Sequence, residues 1–102
     1  MKNRAPRRRL RVRVVTPRGP SMTVDVSRGG FSTNVMRVLA PDTRFEGTIH
    51  CDGRDEAFTG RVVWARPGNP RLSMLGAMGV RFEAISESMA MAIAGPEAAQ
   101  GQ

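Results

Sequence analysis

Residues 22–35 read MTVDVSRGGFSTNV, with apolar or threonine side chains at every second position on both sides of a glycine pair. A period of two is typical of a β-strand that turns one face to a core and the other to solvent. The sequence therefore predicts two strands joined by a bend at Gly29-Gly30. Asp25 and Ser27 fall on the non-core face of the first strand. The expected core side chains of that strand are Met22, Val24 and Val26.

The same alternation recurs through residues 10–82 and predicts six short strands in all. Asp52-Gly53 separates two of these runs, and an Asp-Gly pair in that position is a strong signal for a tight hairpin. Several short strands at close spacing are typical of a small antiparallel barrel.

The period changes near the C-terminus, where apolar residues four apart predict a helix. Ser86 is placed to cap its start and Gly95-Pro96 to end it. The predicted fold class is therefore mainly β, a six-stranded antiparallel barrel with a C-terminal α-helix and a flexible basic N-terminal arm. The expected division is 1–9 for the arm, 10–94 for the barrel and helix, and 95–102 for a disordered tail.

The charge is concentrated at the N-terminus. Residues 1–13 carry seven Lys or Arg and no acid, so they account for the whole formal net charge of +7 and leave the remaining chain neutral. A basic arm on a neutral body indicates an anionic partner, such as nucleic acid, an anionic membrane surface or a phosphorylated small molecule. A solvated tail without a partner is the other interpretation of the charge alone.

The chemistry-bearing residues argue against catalysis. The chain has one histidine and one cysteine, His50 and Cys51, which strand geometry points to opposite faces. They are too few for a metal site, and no glycine-rich loop leads into a helix. We therefore expect no enzyme activity, no metal and no cofactor. The single cysteine fits a reducing, cytoplasmic location, and no apolar run approaches the roughly 20 residues of a membrane span.

Two motifs occur together in this chain. Arginines four residues apart lie where the arm enters the first strand, and Asp25-x-Ser27-x-x-Gly30 closes the second. Gly29 and Gly30 allow positive φ and let a ligand approach the backbone. In this order the motifs resemble the PilZ domain, a bacterial receptor module for cyclic di-GMP that carries Arg-x-x-x-Arg and Asp/Asn-x-Ser-x-x-Gly.

The resemblance extends over about residues 4–94 and implies which residues contact the ligand. Three arginine pairs fit the first motif: Arg4/Arg8, Arg7/Arg11 and Arg9/Arg13. We favour Arg7 and Arg11, because the second arginine then directly precedes an alternating apolar strand, with Arg8 as an additional contact. The expected ligand-binding set is Arg7, Arg8, Arg11, Asp25, Ser27, Gly29 and Gly30.

The implied ligand fits the chemistry of these residues. Cyclic di-GMP carries two phosphates and two guanines, and guanidinium groups bond to phosphate, bond to guanine O6 and N7, and stack on bases. A carboxylate such as Asp25 can accept from guanine N1–H and N2. We expect the ligand to order a mobile arm and so create a surface for an effector protein, in processes such as motility or biofilm regulation.

Two other functions stay open. The chain could be a PilZ-like interaction adaptor that has lost the ligand, or a small barrel that binds nucleic acid with its arm along the phosphates. Nucleic acid is disfavoured because the body is neutral. In addition, Trp64 and the phenylalanines fall mostly in register with core positions, which leaves few aromatics on the polar faces for base stacking.

Overall fold

The computed structural model describes residues 11–100, and the side chains of residues 11–94. The predicted arm, residues 1–9, therefore lies outside the described residues. A short 3₁₀ helix at Pro70–Leu72 interrupts the connection before the last strand. The strands and the α-helix are β1 Arg13–Thr16, β2 Gly19–Ser27, β3 Gly30–Val35, β4 Arg44–Cys51, β5 Arg54–Arg66, β6 Gly76–Ala84 and α1 Glu87–Gln100.

The six strands form a closed antiparallel barrel in the order β1-β2-β3-β6-β5-β4, as the alternation predicts. Pairing of β1 with β4 closes it, for example between Val14 and Ile49. Inward side chains fill the interior, and the rings of Phe31 and Phe58 meet edge to face with centroids 5.8 Å apart. The buried cluster comprises Val12, Val14, Val26, Phe31, Val35, Phe45, Ile49, Cys51, Phe58, Val62, Met78, Val80, Met89 and Ile93.

A β-bulge in β2 reverses part of the predicted core face. Thr23 pairs with Thr33 and Asp25 with Ser32, so Val24 is an extra residue on β2. Thr23 is consequently buried, while Met22 and Val24 are exposed, and the expectation that both lie in the core is wrong. The bulge is stable with a threonine inside because the Thr23 hydroxyl accepts a hydrogen bond from the Val12 N–H at 3.0 Å.

The hairpin between β4 and β5 confirms the Asp-Gly signal. Asp52 and Gly53 have φ of 58° and 76°, the positive values that a type I′ turn requires at both central residues. The turn continues directly into the ladder, where Cys51 pairs with Arg54.

Helix α1 begins as predicted but extends further. The Ser86 hydroxyl accepts the Met89 N–H at 3.0 Å, which is an N-cap. The helix runs on to Gln100, so the predicted end at Gly95-Pro96 is wrong. A proline removes one N–H donor, but its fixed φ is itself helical, and the chain can continue beyond it. Within the part of the chain described here, no helix is long and apolar enough to span a membrane.

Candidate ligand-binding site

The outer face of strands β2, β3, β6 and β5 brings a carboxylate and an indole into one line. Asp25 pairs with Ser32, Ser32 with Gly79, and Gly79 with Trp64. Directly opposed residues share a face of the sheet, so all four lie outside the barrel. We call them the Asp25 row. They confirm the register expected for Asp25.

The turn between β2 and β3 uses the serine of the second motif for its own structure. The Ser27 hydroxyl accepts the Gly29 N–H at 3.2 Å and donates to the Gly30 carbonyl at 3.5 Å. Ser27 is only 5% exposed, so it is covered although its register places it on the outer face. Strand β6 adds a further bond, from the Phe82 N–H to the Gly29 carbonyl at 2.8 Å. The turn is therefore fixed by its neighbours before any ligand binds.

Neither glycine of this turn has an unusual backbone conformation, and Gly30 is required there for packing. Among the described glycines, positive φ occurs at Gly19 and Gly53, and neither Gly29 nor Gly30 has it. A Cβ on Gly30 would lie 2.0 Å from the Val80 carbonyl oxygen. Strand β6 therefore fills the space beside Gly30, and the absence of a side chain there is required for packing rather than for a positive φ.

Trp64 lies on the outer face beside the candidate site, although its register in the sequence predicts a core position. Val62 pairs with Val80 and Trp64 with Gly79, so Val63 is an extra residue that turns Trp64 outward. The indole is 42% exposed rather than in the core. It lies over Gly79, where an added Cβ would meet the indole Nε1 at 2.1 Å. The run of three apolar residues ending at Trp64 breaks the alternation and is the signal that could have revealed the bulge.

The two motif arginines within the described chain lie on different recesses. Arg11 lines a groove of about 590 Å³ on the outer surface, with Val24 of the bulge beside Asp25 and with Asn34. Arg13 instead lines a recess of about 130 Å³ whose other residues are Val15, Thr48, His50 and Asp55. Of the two, Arg11 is therefore the one whose groove reaches Val24, the chain neighbour of Asp25. Arg4, Arg7, Arg8 and Arg9 lie outside the described residues.

Three more arginines form a line across β4, β5 and β6, and all three pair with the carboxylate of Glu83. Arg44 pairs with Arg61 and Arg61 with Arg81. Glu83, the bulged residue of β6, accepts from Arg61 Nε at 2.6 Å and from Arg44 Nε at 2.9 Å. The hydrogen bond from Arg61, and then that from Arg44, holds the pKa of Glu83 below its ordinary value, and Glu83 in turn raises the pKa of Arg61. We call Arg44, Arg61 and Arg81 the arginine row.

Comparison with known proteins identifies the family. The family model of the PilZ domain matches residues 2–94, which is most of the chain. The chain belongs to the PilZ domain family. No curated protein matches it at a significant level.

A solved structure shows the same PilZ fold. The Bacillus subtilis inhibitor of motility, MotI/DgrA, is similar to this PilZ domain with a TM-score of 0.79 and 13% sequence identity. The similarity covers 100% of this chain and 52% of that one, so the chain spans about half the length of that protein. At this identity the likeness supports the barrel and helix.

The remaining polar groups of the described residues include one close histidine–carboxylate pair. His50 Nδ1 and Asp55 Oδ1 are 2.7 Å apart at the surface. Among the residues that the structure describes, no group of three His, Cys, Asp or Glu side chains could hold a metal ion.

Proposed function

We propose that this PilZ domain is a receptor for cyclic di-GMP. The observation that carries the proposal is the Asp25 row, in which an outward carboxylate shares a face of the sheet with the Trp64 indole. The chain neighbour of Asp25, Val24, lines the Arg11 groove. Each feature matches one part of the ligand. Asp25 accepts from the guanine edge, Arg11 donates to a phosphate, and the indole offers an apolar face to a base.

The second motif contributes in two ways. Ser27 and Gly30 hold the turn beside the Asp25 row, and Gly29 leaves its outer side open, since the nearest atom to an added Cβ is Ser27 Oγ at 3.8 Å. The hydrogen bond that the Ser27 hydroxyl donates to the Gly30 carbonyl is long. A phosphate oxygen of the ligand can therefore replace that carbonyl as the acceptor at small cost in free energy. Arg7 and Arg8 complete the proposed contacts from the arm.

The proposed output is a protein partner, and the PilZ domain acts as a switch rather than a catalyst. Seven like charges within residues 1–13 repel one another, and the two negative phosphates of cyclic di-GMP offset part of that charge. The ligand then fixes the arm against the barrel, and the ordered arm presents a new surface to an effector protein. We place this receptor in the bacterial cytoplasm, with motility or biofilm formation as the regulated process.

Calorimetric titration with cyclic di-GMP in ~150 mM salt tests the proposal. We expect saturable binding with a Kd in the micromolar range or tighter. Arg11→Ala and Asp25→Ala each remove a charge-assisted contact of roughly 1.5–3 kcal/mol and should weaken binding about tenfold or more. Arg18→Ala and Asp55→Ala are matched controls, because they make the same charge changes at exposed positions away from the Asp25 row.

Two control ligands and a fluorescence measurement complete that test. GTP and a short single-stranded oligonucleotide should give little heat under the same conditions. Trp64 is the only tryptophan, so its fluorescence reports directly on the Asp25 row, and we expect its emission to change on binding. A folded wild-type domain that gives no heat with the dinucleotide contradicts the proposal. Strong, salt-sensitive oligonucleotide binding would indicate a nucleic-acid protein instead.

One observation favours the ligand-free adaptor as a second candidate. The connection from Asn69 to Leu75 is held by paired backbone bonds between Asn69 and Met74, of 2.8 and 2.9 Å. It nevertheless exposes three large apolar side chains, and Leu72 is 66% exposed. Exposed apolar groups on a well-ordered loop are typical of protein-interaction surfaces. The adaptor function would be favoured by the absence of dinucleotide binding in a folded sample.

A further inference from the structure

Arg81 lies beside the turn of the second motif. It pairs with Gly30 across the β3–β6 ladder, and an added Cβ on Gly30 would be 3.0 Å from Arg81 Cα. The next residue, Phe82, donates its N–H to Gly29. Because Gly30 has no side chain, no side chain of β3 stands between Arg81 and Ser27 at this level of the sheet.

The Arg81 guanidinium is held more loosely than its neighbours. Its Nη2 is 3.6 Å from Glu83 Oε2, whereas Arg61 Nε is 2.6 Å from the same oxygen. The Arg81 side chain is also 59% exposed. An exposed ion pair of this length contributes little to stability, so the guanidinium can leave Glu83 at small cost.

The arginine row also carries more positive charge than the two carboxylates near it, Glu83 and Asp42, can balance. Three guanidinium groups share Glu83, and like charges directly opposite each other on paired strands are destabilising. A second anion at the end of the row nearest the turn would relieve this repulsion. Arg81 is the member at that end, next to Gly30.

We propose that Arg81 is a further ligand-binding residue of this domain, donating to a phosphate of a nucleotide held over the Ser27–Gly30 turn. This inference rests on the proposed function and extends it, because it gives the site an anion contact on the opposite side of Asp25 from the Arg11 groove. The ligand class is then one with two separated phosphates, which a cyclic dinucleotide has and a mononucleotide monophosphate lacks.

The test compares two arginines of the same row by calorimetry with cyclic di-GMP. We expect Arg81→Gln to weaken binding by roughly tenfold, as for a charge-assisted contact, and to reduce the salt dependence of the Kd. Arg44→Gln is the matched control, since it loses the same charge and the same partner, Glu83, two strands further from the turn. It should leave the Kd within about twofold, a change below that of one lost contact.

Three outcomes overturn the inference. If Arg81→Gln and Arg44→Gln raise the Kd equally, the arginine row acts only through its long-range electrostatic field and Arg81 makes no direct contact. If Arg81→Gln binds like the wild type, Arg81 makes no contact although the proposed function stands. If the wild type itself does not bind, the proposed function fails and the inference fails with it. Should Arg81→Gln not fold, the same three outcomes are read from Arg81→Ala against Arg44→Ala, since Arg81→Ala removes the same phosphate donor and Arg44→Ala the same control charge.

Discussion

At the scale of single residues, Gly30 is the position where the close packing of β3 against β6 can be tested with one added methyl group. Gly30→Ala drives a Cβ to within 2.0 Å of the Val80 carbonyl oxygen, a backbone atom that cannot swing away. We expect a loss of about 1–3 kcal/mol or more in the free energy of unfolding, as for other overpacked positions. Denaturant unfolding measures it.

Gly29→Ala is the matched variant for this experiment. Its added Cβ meets nothing closer than Ser27 Oγ at 3.8 Å, and Gly29 has no positive φ. We expect a change within about 0.5 kcal/mol, as for ordinary surface substitutions. Equal stability of the two alanine variants would refute the packing role assigned to Gly30.

The sequence predicts correctly which side chains point into the barrel wherever a strand keeps a strict alternation of apolar and polar residues. Val12, Val14 and Phe31 are buried as expected. Val24 and Trp64 are exposed because of β-bulges. Val24 is itself the extra residue of β2, and Trp64 follows Val63, the extra residue of β5. A one-residue shift reverses every later side chain, and the bulge depends on the partner strand, which local alternation does not contain.

At the scale of elements, Glu83 links three strands through its ion pairs, and this link depends on pH. Its folded-state pKa lies below the ordinary value of 4.5, chiefly because of the hydrogen bond from Arg61. A lowered pKa contributes stability above the unfolded value, and the contribution is lost as the pH falls from about 4.5 through the folded pKa. We therefore expect acid unfolding to begin at a higher pH in Glu83→Gln.

Acid titration followed by circular dichroism measures this difference. Glu46→Gln is the matched control, an exposed carboxylate on β4 with the same change of charge. Its acid midpoint should stay at the wild-type value. If the Glu83 variant and the wild type have the same acid midpoint and the same stability at neutral pH, the three ion pairs contribute nothing measurable.

The strands and the helix were largely predictable from the sequence, whereas the residue at which the helix ends was not. Six strands, the Asp52-Gly53 hairpin and the Ser86 cap follow from short-range patterns that the structure reproduces. The helix passes Gly95-Pro96 because a proline weakens a helix without forbidding it. The arginine row was not predicted, since its members are close only through pairing of β4, β5 and β6.

At the scale of the whole molecule, ligand binding should stabilise the barrel as one unit. Because the strands close on themselves, β1 and β4 are joined although about thirty residues separate them along the chain, and local opening breaks the ring. Cyclic di-GMP at one hundred times its Kd should add about 2.7 kcal/mol to the free energy of unfolding. For a domain of this size the midpoint should rise on the order of 10–20 °C.

Thermal unfolding over a series of dinucleotide concentrations measures this rise. The midpoint should increase with the logarithm of the concentration once the site is saturated. At the same dinucleotide concentration, a tenfold weaker Kd in Asp25→Ala should reduce the rise to about half, measured from that variant's own midpoint without ligand. A rise that persists unchanged in Asp25→Ala would place the ligand elsewhere on the molecule.

The Ser27–Gly30 turn also bears on how such domains diverge. Selection for folding alone would retain Ser27, which holds the turn, and Gly30, which admits strand β6. A related domain that no longer binds a nucleotide would therefore still carry the serine and the glycine, two of the three defined residues of the Asp-x-Ser-x-x-Gly motif. Asp25, Arg11 and Arg81 carry proposed ligand contacts, so their joint retention or loss among relatives should distinguish receptors from adaptors.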